Sequence, residues 1–194
     1  MALERDRVAP LDALDDYRIA EGDPDVRGWK VFGTGGRRIG TVDELLADTV
    51  AMKIRYLEVD VDEDLLDRGE DRHVLIPIGH ARLNPEDDEI FVDALDPTAI
   101  AMIPPYGKGA VTRDYEARLR THFDRDYTAG TPASADFYAH DLYDEDRFFA
   151  GRRGSARRAL DMSESERRQF GEVGRGIEGD GISPEDDLDH VHGP

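Results

Sequence analysis

Between Trp29 and Asp93 the chain breaks into short apolar runs, each bounded by Gly, Pro, Asn or Asp. The runs are Trp29–Gly33, Arg38–Val42, Ile54–Val61, His73–Ile78 and Glu89–Asp93. Segments this short, rich in Val, Ile, Phe and Tyr and punctuated by turn formers, predict strands. Leu57, Val59 and Val61 alternate with Glu58 and Asp60, the period of a half-buried strand with its carboxylates on the solvent face. No helix-length crossover separates most of the runs, so a small antiparallel barrel or sandwich is expected rather than a parallel sheet. Val31, Ile39, Val42, Tyr56 or Leu57, Val59, Leu75 and Val92 are expected to fill one interior.

Four pieces of this stretch carry a family resemblance. Gly28-Trp-Lys-Val-Phe-Gly33, Gly36-Arg-Arg-Ile-Gly-Thr-Val-Asp-Glu-Leu45, Arg55-Tyr-Leu-Glu-Val59 and His73-Val-Leu-Ile-Pro-Ile78 together resemble the PRC-barrel family. That family takes its name from the cytoplasmic domain of the photosynthetic reaction-centre H subunit. The resemblance spans residues 25–105 and implies a small antiparallel PRC-type β-barrel. The family includes H subunits, ribosome-maturation factors and stand-alone proteins, so the fold does not select the function.

Likeness to H subunits implies a non-enzymatic adaptor or structural subunit on the cytoplasmic face of a reaction-centre-type membrane complex. Its partners would be protein subunits, reaction-centre and light-harvesting polypeptides among them. The alternative is a stand-alone soluble PRC-barrel protein associated with stress or the envelope. A ribosome-maturation factor is disfavoured, because that family places a second β-domain before the barrel and here about 25 residues precede it.

Charge and composition narrow the classes further. The 194 residues carry a formal net charge of −19, which opposes nucleic-acid binding by phosphate repulsion. A hydrophobic fraction of 39% against 36% charged residues favours a compact centre with solvated flanks. There is no Cys, which excludes disulfides and thiol chemistry and fits a reducing compartment. No apolar run approaches the ~20 residues of a membrane span and no signal peptide opens the chain, so membrane contact is expected to be peripheral.

The organisation read from the chain is an N-terminal arm over 1–25, a barrel over 26–105, a helical extension over 106–127 and an extended tail over 128–194. Gly33-Thr-Gly-Gly36 reads as a hairpin turn needing positive φ, not a phosphate loop, since no Lys-Ser/Thr follows. Val42–Asp48 reads as a continuation of the second strand, and Met52 as the start of the third. Asp96 is placed to cap a short helix with Pro97 at its first position. Thr112–Tyr127 is the best helix, with Tyr115, Leu119 and either His122 or Phe123 forming its apolar stripe. A short helix with a capping box is expected at 163–170, where Ser163 precedes Glu166.

Few residues are spaced for chemistry. Asp60, Asp62 and Asp64 take the first, third and fifth places of a calcium loop, but Leu65 stands where Gly should be and Asp71 where Glu should be. The histidines, including His73 and the His190/His192 pair, have no ligand spacing of a metal motif. Ser134, Ser155, Ser163 and Ser165 lack a nucleophile-elbow context. No catalytic residue, cofactor site or metal site is therefore assigned.

The tail carries the expectation on which function turns. Phe137, Tyr138, Tyr143, Phe148 and Phe149 lie among charges without a sustained period, and Arg152 and Arg153 follow them. Residues 147–168 hold seven Arg against three acids in an otherwise acidic chain. Aromatics and Arg dominate interface energetics, so this segment reads as an extended partner-binding anchor making few contacts with its own barrel. The alternative is that the aromatics fold back onto the barrel.

Overall fold

The computed structural model describes residues 7–15, 17–66, 71–84, 86–93, 95–127 and 137–150. Its strands are β1 (Val8–Pro10), β2 (Lys30–Phe32), β3 (Arg38–Asp48), β4 (Lys53–Val61), β5 (His73–Pro77), β6 (Arg82–Asn84) and β7 (Glu89–Phe91). Two helices follow, α1 (Pro97–Met102) and α2 (Arg113–Phe123). Residues 137–150 form 3₁₀ turns at Phe137–Ala139 and Asp141–Tyr143 and then a helical stretch over 145–150.

The sheet is organised on β3, whose 11 residues reach three neighbours. One edge pairs with β4 along its length; the other pairs with β2 near its start and with β1 near its end. The strand order is β5-β4-β3-β2-β7-β6, with β1 branching from β3. Gly40 permits the tight approach of β3 to β4, because a Cβ there would lie 2.1 Å from the Asp60 carbonyl oxygen. The turn at Gly33–Gly36 has φ of +73° at both Gly35 and Gly36, as its glycines predict.

The mainly-β, PRC-type architecture stands, with two corrections to the antiparallel barrel. The β6–β7 hairpin returns to the free edge of β2 and lays β7 parallel to it, in register Lys30↔Glu89, Val31↔Ile90 and Phe32↔Phe91. The sheet is also not closed, since no ladder joins its end strands β5 and β6. The arm contributes β1, which its polar composition concealed, and β6 was too short to register. Met52 belongs to the β3–β4 turn, at φ +54°, and the strand begins one residue later.

All seven predicted core positions are buried in one hydrophobic cluster, which reaches both faces of the sheet. Val42, Val59 and Val74 are neighbours on one face. Glu58 pairs with Leu75, and Tyr56 with Pro77, on the opposite face. The half-buried strand expected at β4 is therefore covered on both sides: Glu58 is only 3% exposed and Tyr56 is fully buried. Tyr56 is covered by Glu116 of α2 and by Tyr143, and Glu58 by His73 and Lys108. Asp96 caps α1 by accepting from the Ala99 N–H at 2.8 Å, and Thr112 caps α2 by accepting from the Tyr115 N–H at 3.2 Å. On α2, Tyr115 and Leu119 face inward, as does Glu116; Phe123 is half-buried and His122 exposed.

Candidate functional site

The tail aromatics do not lie extended over open surface. Phe137, Tyr138, Tyr143, Phe148 and Phe149 are each no more than 6% exposed, packed within the chain's own fold. Tyr143 meets Tyr56 of β4 edge-on at 5.6 Å and also contacts Phe137 and Tyr138. The expectation of few contacts with the barrel is thus corrected for 137–150. Arg152, Arg153, the predicted helix at 163–170, His190, His192 and Ser134, Ser155, Ser163 and Ser165 lie outside the described residues.

The reason for the fold-back is written in β4. A register shift between β3 and β4 leaves Arg55 as an extra residue and takes the Ile54 N–H out of the ladder. The Glu145 carboxylate accepts from that N–H at 2.7 Å, and the backbone carbonyl of Tyr143 accepts from Arg55 Nη1 at 2.9 Å. A buried guanidinium and a buried N–H both need acceptors, and residues 143–145 supply them. Asp48 lies 3.6 Å from Arg55 and takes a bidentate hydrogen-bond pair from Arg7, Nε to Oδ1 at 3.2 Å and Nη2 to Oδ2 at 2.9 Å. Burial would raise the Asp48 carboxyl, but the hydrogen bonds from Arg7 and from the Ala51 and Val50 N–H groups outweigh it and hold it below the ordinary range.

Tyr138 ties this layer to α2. The guanidinium groups of Arg7, Arg55 and Arg113 stand 4.8, 4.8 and 4.9 Å from its ring centre. Its hydroxyl donates to Glu116 Oε1, which also accepts from Tyr56 at 2.9 Å, while Arg113 donates to Oε2 at 3.0 Å. Burial pushes the Glu116 carboxyl above its ordinary value despite these donors. Glu116 is thus the polar hub between helix, sheet and residues 137–150.

A second cluster forms on the far edge of the same sheet face. A bulge at Asp43 swings its carboxylate toward Glu58 and His73. His73 pairs with Asp60 across β4–β5, which makes Glu58 its diagonal neighbour. His73 Nδ1 lies 3.0 Å from Glu58 Oε1 and 3.7 Å from Asp43 Oδ2. Lys108, from the loop after α1, places its ammonium 2.9 Å from Asp43 Oδ2 and 3.8 Å from Glu58 Oε1. The hydrogen bond from Lys108 holds the Asp43 carboxyl below its ordinary value, whereas burial pushes Glu58 up, with His73 and Lys108 opposing. Asp60 and Asp71 bracket the other side of His73, where Nε2 lies 3.3 Å from Asp71 Oδ1. Of the calcium-loop carboxylates, Asp62 pairs instead with Arg38 at 3.3 Å. Sequence reading missed the cluster because its members come from three separate strands, and because strand alternation assigned Glu58 to solvent.

Among the described residues no helix is long and apolar enough to cross a membrane. The family model for the PRC-barrel domain matches residues 19–97. That span runs from the end of the arm, through all of β2–β7, to the first residue of α1, and it contains all four motif segments noted in the sequence. Sheet, motifs and family match together assign residues 19–97 of this chain to the PRC-barrel family.

Proposed function

We propose that this protein is a non-enzymatic adaptor, a structural subunit that docks through its PRC-barrel on the cytoplasmic face of a photosynthetic reaction-centre-type membrane complex. The observation that carries the reading is the set of barrel segments, Gly28–Gly33, Gly36–Leu45, Arg55–Val59 and His73–Ile78, which resemble those of the H subunit's cytoplasmic domain. The partners are protein subunits, reaction-centre and light-harvesting polypeptides among them, and membrane contact is peripheral. Because 137–150 is used internally, docking falls to the barrel's outer surface. The β3–β4 turn offers Val50 and Met52, 76% and 54% exposed, as apolar contacts beside charged surroundings.

The burial of 137–150 favours a second reading, a self-sufficient stand-alone PRC-barrel protein, since a domain that seals its own sheet needs no partner to do so. Incubating tagged full-length chain with pigmented membranes stripped of peripheral proteins separates the two. Stoichiometric retention with reaction-centre polypeptides, weakened by Val50→Asp with Met52→Asp, supports the adaptor. Recovery of the chain free of pigment-protein complexes supports the stand-alone protein.

A further inference from the structure

The acid–histidine cluster brings buried polar atoms to ion-pair distance without hydrogen-bond geometry among the described residues. The Glu58 side chain is 4% exposed, and its Oε1 faces His73 Nδ1 at 3.0 Å and Lys108 Nζ at 3.8 Å yet makes no hydrogen bond among the described residues. His73 Nδ1, facing it at 3.0 Å, is also buried and makes none. Buried polar atoms are ordinarily satisfied, and two that converge on one point call for a partner there. Asp43 Oδ2 completes the set, and the three donor atoms all lie within 4.8 Å of one another.

We propose that Asp43, Glu58 and His73 form a binding site for one divalent transition-metal ion of mixed nitrogen and oxygen preference, with Zn²⁺ the best match. The donor spacing suits it. Metal–ligand distances of about 2.0–2.2 Å require neighbouring donors about 3.0–3.5 Å apart, and the observed separations from His73 Nδ1 are 3.0 and 3.7 Å. One imidazole with two carboxylates fits Zn²⁺ better than the all-oxygen sets of Ca²⁺ or Mg²⁺. Asp43, the extra residue of the β3 bulge, supplies the third donor.

Lys108 is the internal competitor for this position. Its ammonium contacts the same two carboxylates, but its side chain is 56% exposed and its backbone sits at φ +53° between Gly107 and Gly109. A long exposed side chain on such a loop can swing into solvent and yield the carboxylates to a metal. The site therefore holds one cation at a time, and removing Lys108 strengthens metal binding.

The test is calorimetric titration of the full chain with Zn²⁺ alone at neutral pH. The expected result is one saturable equivalent, weakened at least tenfold by His73→Ala and by Asp43→Asn, and tightened by Lys108→Ala. The double variant His190→Ala with His192→Ala controls for the His-rich end of the chain and is expected to bind as the parent does. Lys108→Ala removes only an exposed side chain, so its direction of change does not depend on a core that tolerates mutation. Absence of a saturable heat, retention of full affinity in Asp43→Asn, loss of the heat in the His190/His192 variant, or weaker binding by Lys108→Ala would each overturn the assignment.

Discussion

Replacing Tyr143 with Ala removes a ring that is 1% exposed and touches three other aromatic rings, one of them Tyr56 on β4. A buried aromatic contributes roughly 150–250 Å² of buried surface, which at about 25 cal/mol per Å² corresponds to roughly 4–6 kcal/mol. Measured aromatic truncations in cores cost about 3–5 kcal/mol, so about 4 kcal/mol is the working figure. The backbone carbonyl that accepts from Arg55 survives the substitution, so the loss is one of packing and not of an uncompensated buried charge. In a domain of this size the melting temperature would fall by about 8–16 °C. Trp29 is the only tryptophan and lies beside β2, far in sequence from the substitution, so its fluorescence reports whether the sheet itself is weakened. A Trp29 transition within about 2 °C of the parent would show that residues 137–150 are not part of the cooperative unit.

Two further outcomes follow from the same geometry. Gly40→Ala sets a methyl group against the Asp60 carbonyl and forces β3 from β4; a loss of at least about 1–3 kcal/mol by urea unfolding is expected, and parent-like stability would show that the strands can part freely. Glu116 has a folded-state pKa above its unfolded value, so protonation favours the folded state. Its contribution is therefore greatest at acid pH and declines as pH rises from the ordinary glutamate range through the raised value. The stability of the parent relative to Glu116→Gln should decline across that window, and parallel pH profiles would contradict it.

The strands of the PRC domain were legible because Val, Ile, Tyr and Phe runs stop at turn formers, and because Gly33–Gly36 and Asp96–Pro97 carry local chemistry that needs no tertiary context. The face of β4 was not legible. Alternation places Glu58 on the outer face correctly, but whether that face of β4 meets water depends on α2 and on contacts 88 and 91 positions apart in the chain. The tail misled for a related reason. Its aromatics show no periodicity because they sit on 3₁₀ turns and a short helix, each supplying single anchors to a surface already formed. What draws them in is the unsatisfied Arg55 and Ile54 N–H, and these arise from a strand-register shift that local sequence does not announce. The acid–histidine cluster was hidden likewise, because its convergence comes from pairing of β3, β4 and β5 and from the bulge at Asp43.

Residues 137–150 belong to the barrel's own fold. Amide hydrogen exchange on the isolated full-length chain tests it directly. The Ile54 N–H held by Glu145 and the Tyr143 N–H, which donates to the His140 carbonyl at 2.9 Å, should exchange on the slow timescale of β3 and β4. Exchange of 137–150 at open-chain rates, with β3 and β4 still protected, would contradict this placement and return the segment to the role of a partner-binding tail.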